Sequence, residues 1–295
     1  MHGLANGKKE TMKAFTFRAS AWVSSLWLLG AASLSFAASY EWTFNSGSLD
    51  TDLGNGTMSY RDAATPSITT FGMTDGTTIP HIGGQAAHYM SFPQMDPANG
   101  YFLTLNDSGP NGGGSYINQY SVVLDIYSPG AAGWQAIFNT APENHNDADF
   151  YINPDGALGI GDLGYSAAGT IAQGTWYRIA FTADLGAGNV SYYVNGSPVH
   201  NRTGGSLLDG RFALYSNQDP LPSLLLFNEG DGSDNYTHPL YVNSIYFTDE
   251  ALGSAEVAAL GGPGAFGIVV VPEPGTLALL GIGALAFIAC RRRRN

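Results

Sequence analysis

Between Tyr40 and Leu260 the apolar residues fall in short runs, alternating with polar positions or continuous, and broken by Gly, Asn, Asp and Pro. The clearest runs are Tyr120–Tyr127, Trp134–Phe138, Trp176–Ala183, Val190–Val194, Phe212–Tyr215, Leu224–Phe227 and Leu240–Phe247. No apolar stripe of helical period lasts more than two turns. Short runs of this kind between turn signals predict strands, and their number predicts an all-β fold, a sandwich or jelly roll of antiparallel sheets. After Val190–Val194, Asn195-Gly196 supplies the positive φ angles of a type I′ turn and predicts a hairpin with Ser197–His200. Pro198 lacks a backbone donor, so that second strand is expected at an edge or bulged. One helix is expected, Ser254–Leu260, with Ser254 as N-cap and Gly261 just past its end. Gly261–Gly267 is glycine-rich, and residues 263–271 read as a linker that closes a domain spanning 38–262.

Both ends of the chain read as processing segments. Lys13 and Arg18 precede the apolar run Ala19–Leu34, and Ser35-Phe36-Ala37-Ala38 offers small residues for a cut after Ala37. This is the pattern of a secretory signal helix over residues 1–37, with Met12 as an alternative start. At the other end, Val271-Pro272-Glu273-Pro274-Gly275-Thr276 leads into the apolar stretch Leu277–Cys290 and then Arg291-Arg292-Arg293-Arg294. The apolar stretch is short against the roughly 20 residues of a comfortable membrane span, and the arginines should stay on the cytoplasmic side. Residues 272–295 resemble the PEP-CTERM sorting signal of Gram-negative bacteria. The motif residues are Pro272, Glu273 and Pro274, followed by a short hydrophobic helix and the basic cluster Arg291, Arg292, Arg293 and Arg294. The resemblance implies a tail held transiently in the inner membrane and processed by exosortase. It also implies a mature protein at the cell surface or in the extracellular matrix, where carriers of the signal accompany exopolysaccharide and biofilm.

Charge sharpens the picture of the body. The chain has 12 basic and 24 acidic residues. Outside the body lie Lys8, Lys9, Lys13, Arg18 and Arg291–Arg294, with Glu10 and Glu273. The body keeps 22 acids against Arg61, Arg178, Arg202 and Arg211, a net charge of −18 with no lysine. Such a body will not track a phosphate backbone, so nucleic acid is excluded as a partner. The single cysteine, Cys290, is in the tail, so the body has no disulfide, no thiolate nucleophile and no thiolate zinc ligands.

Three segments of the body resemble the laminin-G-like, concanavalin A-like lectin/glucanase superfamily. They are Gly174-Thr175-Trp176-Tyr177-Arg178-Ile179-Ala180, Tyr192-Tyr193-Val194-Asn195-Gly196, and Val242–Phe247 leading into Asp249–Val257. Asn111–Tyr120 extends the match upstream. The resemblance implies a jelly roll of two antiparallel sheets and one Ca²⁺. Its ligands would be Asn243 near the last long strand, with Asn45 and Asp50 after the first strand, and Asp231 as another candidate. Asn144–Asp149 is a second oxygen-rich loop, without the glycine and distal Glu of an EF-hand.

Candidate chemistry is sparse. Glucanases of that superfamily carry Glu-x-Asp-x-x-Glu on a strand. The nearest approach here, Glu229-Gly230-Asp231-Gly232-Ser233-Asp234, reads as a loop and ends in a shorter acid. No nucleophile elbow, P-loop or dinucleotide fingerprint appears. Trp134, Tyr127, Tyr165 and Tyr236 stand at strand ends or in loops, where aromatic rings can face sugar; Trp134, Tyr165 and Tyr236 are the ligand candidates. Trp176 opens an apolar run and reads as core. The leading reading is a non-enzymatic surface or matrix protein whose lectin-like domain binds extracellular polysaccharide or another surface partner. Two alternatives stand beside it: a glycan-active hydrolase using Glu229 and Asp231, and a coat or adhesion protein without a specific ligand.

Overall fold

The computed structural model describes residues 37–130, 133–140, 149–214, 224–229 and 238–269. The strands in chain order are β1 (Ser39–Trp42), β2 (Gly56–Tyr60), β3 (Thr70–Met73), β4 (His88–Phe92), β5 (Tyr101–Leu105), β6 (Gln119–Tyr127), β7 (Gln135–Asn139) and β8 (Phe150–Ile152). They continue as β9 (Leu158–Ile160), β10 (Gly164–Tyr165), β11 (Trp176–Asp184), β12 (Asn189–Val194), β13 (Ser197–Arg202), β14 (Leu224–Leu226) and β15 (Leu240–Thr248). Two short helices, α1 (Thr65–Ile68) and α2 (Ser254–Leu260), complete the described elements. All described pairings are antiparallel. The larger sheet runs β13-β12-β11-β6-β15-β4-β3 with β1 also on β15, and the smaller runs β10-β9-β8-β7-β14-β5-β2. The expected all-β sandwich of two antiparallel sheets is the observed fold.

The core lies between the sheets. Phe138 and Phe150 of the smaller sheet meet Phe181 of the larger at ring-centroid distances of 5.0 and 5.3 Å, and Phe150 also meets Tyr192. At another point Phe92 of the larger sheet packs on Tyr101 and Phe227 of the smaller. Burying each such ring removes apolar surface worth about 1.5–3 kcal/mol from water.

Local chemistry explains several elements. Asn195 and Gly196 take φ of 50° and 79°, as the hairpin between β12 and β13 requires. Pro198 lies on the edge strand, next to a bulge where Tyr193 pairs with Pro198 and Tyr192 with His200. The start of α2 differs from expectation: its N-cap is Gly253. Glu256 reaches back to accept the Gly253 N–H at 2.7 Å, while the Ser254 hydroxyl pairs with Tyr193 Oη at 3.1 Å. Phe212–Leu214 is a turn rather than the expected strand; the Ala213 N–H closes onto Gly210, and only Leu214 bridges to Ile117. Tyr215 lies outside the described residues.

The larger sheet is covered on its outer face. Val123, Ala180 and Tyr193 pack against Val257 of α2 and against Ile268. Tyr127 and Trp176 pack with Ile79, Ile82, Ala87 and Ala265, and Trp176 Nε1 donates to the Pro80 carbonyl at 2.7 Å. The covering chain includes residues 263–269, read from sequence as linker. They are docked instead, because side chains of the sheet capture their backbone. Asp125 accepts the Gly264 N–H at 3.0 Å, Arg178 donates to the Leu260 and Gly267 carbonyls, and Glu41 Oε1 accepts the N–H groups of Ile268 and Val269 at 2.5 and 3.1 Å. Arg178 and Asp125 are themselves a buried pair. Gly267 has φ 115°, and a Cβ there would come 2.7 Å from Glu41 Oε1, so this contact requires glycine. We call residues 261–269 the strap.

Candidate functional site

The smaller sheet carries a ring cluster at its β8–β10 end. Phe150 points into the core, so its neighbour Tyr151 faces outward. Tyr151 pairs with Gly159 on β9, and Gly159 pairs with Tyr165 on β10, which puts the three residues in one row. Gly159 leaves the middle of the row bare; a Cβ there would lie 2.9 Å from Tyr165 Cδ1. Trp134, just before β7, stands edge-on to Tyr151 (centroids 5.6 Å, 81°) and to Tyr165 (6.4 Å, 65°). Tyr151 is buried, whereas Trp134 and Tyr165 are half-buried and keep part of their faces accessible.

Beneath the rings the Tyr151 hydroxyl donates to Glu229 Oε2 at 3.0 Å, and Asn139 Nδ2 donates to the Glu229 carbonyl at 2.9 Å. Glu229 is 1% exposed and follows β14 in a loop. Its carboxylate therefore supports the ring cluster and does not face solvent.

Near the same strands opens a cavity of about 250 Å³, lined by Gln135, Ile152, Asn153, Asp155, Gln173 and His238 among others. Asn153 Oδ1 accepts the N–H groups of Asp155 and Ala157, which fixes the turn on one wall. The His238 N–H donates to Gln135 Oε1 at 2.7 Å, and its ring lies over Gly133, where any side chain would collide with it. The wall is rich in amides, and its residues come from chain segments too far apart to form a sequence motif.

Of the ligand candidates, the structure brings Trp134 and Tyr165 together; Tyr236 lies outside the described residues. Tyr151 escaped the sequence reading, although its position in a three-residue strand beside Phe150 was the available signal. Tyr127 is buried against Trp176 at 5.5 Å and offers no ligand face.

Three of the four calcium candidates, Asn45, Asp50 and Asn243, lie among the described residues. Asn243 occupies a bulge between Val242 and Ser244, 1% exposed. Its Nδ2 donates to the His88 carbonyl at 2.7 Å and its Oδ1 accepts from Ser244 Oγ at 3.3 Å, so the amide ties β15 to β4. Asn45 is exposed, and the exposed Asp50 accepts from Ser48 Oγ at 2.7 Å. Asp231 lies outside the described residues, as do residues 144–148. Asp149 is buried and held by Thr140 and by Arg211 Nε at 2.9 Å. Among the described residues no three His, Cys, Asp or Glu side chains gather.

All four arginines of the body are engaged internally. Arg178 is buried on Asp125, and Arg211 bridges Asp149 and Asp162. Arg61 donates to the Pro97 carbonyl at 2.6 Å, and Arg202 to the carbonyls of Gly188 and Gly205.

Residues 270–294 match the model of the PEP-CTERM protein-sorting motif, which contains Pro272, Glu273, Pro274 and Arg291–Arg294. The chain carries this sorting motif. It implies export, a C-terminal tail held in the membrane before processing, and processing by exosortase. The motif lies outside the described residues. Among the described residues no helix is long and apolar enough to cross a membrane. No curated protein matches the chain.

Among solved structures, domain 4 of AbnA, a GH43 extracellular arabinanase from Geobacillus stearothermophilus in complex with arabinotriose, is similar at 20% identity. The match covers 76% of this chain and 98% of that one, with a TM-score of 0.45. The binding domain of botulinum neurotoxin serotype D is 12% identical over 76% of this chain, with a TM-score of 0.47; the chain spans about half, 51%, of its length. A Trypanosoma rangeli sialidase is 14% identical over 59% of this chain and 28% of its own, with a TM-score of 0.43.

Proposed function

We propose that this exported, exosortase-processed protein is a surface or matrix component of a Gram-negative bacterium, and that its laminin-G-like sandwich binds a neutral glycan at the Trp134–Tyr165 ring cluster. The convergence of two half-buried rings across the bare Gly159 carries this reading. Apolar ring faces suit a sugar ligand, which stacks its C–H faces on them. Electrostatics narrows the ligand. A body with 22 acids, whose four arginines all hold partners within the domain, disfavours an anionic polymer.

The hydrolase alternative with Glu229 and Asp231 ranks below, because a general acid must reach the scissile bond and Glu229 is buried under Tyr151. Calcium has no part in this reading. The test is a glycan array with the 38–269 fragment, followed by calorimetry and a reducing-end assay. Binding to neutral polysaccharides, none to uronic-acid or sulfated ones, and no release of reducing ends are expected. Failure to bind any neutral glycan leaves the ligand-free coat protein as the answer.

A further inference from the structure

The strap runs up to the sorting motif, which begins at residue 270. Val269 donates its N–H to Glu41, and Pro272 opens the Pro-Glu-Pro triplet, with only residues 270 and 271 between. The three steps from Val269 to Pro272 span at most about 11 Å when fully extended. A folded body of this size has a radius of gyration of about 17 Å. While the strap is docked, a membrane-embedded protease that acts near Pro272 therefore has to accept a bulky acidic domain at its mouth. Releasing residues 261–269 adds nine residues of reach, about 30 Å. Leu260 stays fixed by α2, and Gly261, Gly262 and Gly264 make the freed segment pliant.

The docking is built into the sheet. Three charged side chains from separate strands, Glu41, Asp125 and Arg178, are buried and direct oxygens or N–H groups at the strap backbone. Ile268 and Ala265 fill apolar positions on the same face, and Gly267 is shaped to Glu41. We propose that docking of residues 261–269 restrains removal of the C-terminal tail, and that release of this strap from Glu41, Asp125 and Arg178 presents the sorting motif to the protease. Folding of the exported body and processing of its tail then compete, and a chain processed late is one whose strap has already seated.

This inference rests on exosortase processing, and the experiment separates the two. The full chain is expressed in a host carrying its exosortase, and tail loss is followed by pulse-chase and mass spectrometry. Three variants are compared with the wild type. The first inserts ten Gly/Ser residues between Val269 and Pro272, which leaves every strap contact in place. The second, Gly267→Ala, loosens the strap through strain and collision with Glu41. The third, Pro272→Ala with Pro274→Ala, removes the motif. The insertion and Gly267→Ala should each be processed about tenfold faster, the factor that ~1.4 kcal/mol of lost restraint gives. Equal rates for the insertion and the wild type overturn the restraint while leaving processing intact. A tail retained on every chain overturns both.

Discussion

Arg178 and Asp125 stand opposite each other in the β11–β6 register and meet through two 2.7 Å bonds, Nε to Oδ1 and Nη2 to Oδ2. Both side chains are buried, so neither charge has bulk water to fall back on if its partner is lost. Arg178→Met should destabilise the domain by about 3–5 kcal/mol, the usual cost of leaving a buried charge unpaired. Asp125→Leu combined with Arg178→Met should cost less than Arg178→Met alone. Urea titration of the three proteins checks the order; a milder single variant would contradict it.

Ending the fragment at Leu260 in place of Val269 removes the burial of Ile268 and four bonds to sheet side chains. Apolar burial and charge-assisted bonds of this kind total at least about 3 kcal/mol. For a domain of this size that corresponds to a loss of roughly 6–12 °C in Tm. Calorimetry of fragments 38–260 and 38–269 measures it, and equal melting temperatures would show the strap to be idle.

Stability should peak in mildly acidic solution. Desolvation pushes the carboxyls of Glu41, Asp125 and Asp149 above their ordinary range, against backbone bonds to Glu41 and against Arg178 and Arg211 for the other two. An acid raised on folding contributes fully below its unfolded pKa and loses that contribution as pH climbs through the folded value. Asp62, Asp75 and Asp209 are lowered, chiefly by hydrogen bonds from Thr65, Ile79 and Asn118, and lose their contribution as pH falls. The two trends leave a maximum above about pH 4 and below neutrality. A Tm that rises steadily up to pH 8 would contradict this.

Trp134→Ala and Tyr165→Ala should each weaken binding of the neutral glycan about tenfold, or ~1.4 kcal/mol, with little change in melting because both rings are half-buried. Glu229→Gln should leave affinity within about threefold, since its carboxylate faces Tyr151 and not the ligand. Titration followed by tryptophan fluorescence reads both.

Calcium at millimolar concentration, or chelator, should leave the Tm of fragment 38–269 unchanged, because only an ion held by the native state shifts it. A calcium-dependent rise would mean that donors outside the described residues complete a site.

The long runs around Tyr120, Trp176 and Tyr241 announced their strands because burial on both faces demands continuous apolar sequence. The Asn195-Gly196 turn announced itself through its dihedral demands. The first half of the body was fainter: β2 and β3 are short and half-exposed, so alternation has few positions in which to appear. Trp134 and Tyr165 could be chosen as rings at strand ends, but their meeting over Gly159 depends on register across three strands. The strap was misleading for a physical reason. Glycines that signal freedom in a linker also permit close approach to a sheet, and the partners at residues 41, 125 and 178 are remote in the chain. At Asn243 sequence meets the same limit, since an amide that closes a bulge looks the same there as one that holds a metal.

The first strand pairs with the last: Ser39 lies beside Thr248, 209 residues away, and among the described strands β1 pairs with β15 alone, its other ladder contact being the Glu41–Leu53 bridge. Contacts so distant along the chain incur their loop-closure entropy late and fold slowly. A polypeptide threaded out of the cell amino end first therefore offers its opening strand no full strand to zip onto, beyond the Glu41–Leu53 bridge, until nearly everything else has crossed. Delivery runs ahead of assembly, and the larger sheet closes only at the end of transit.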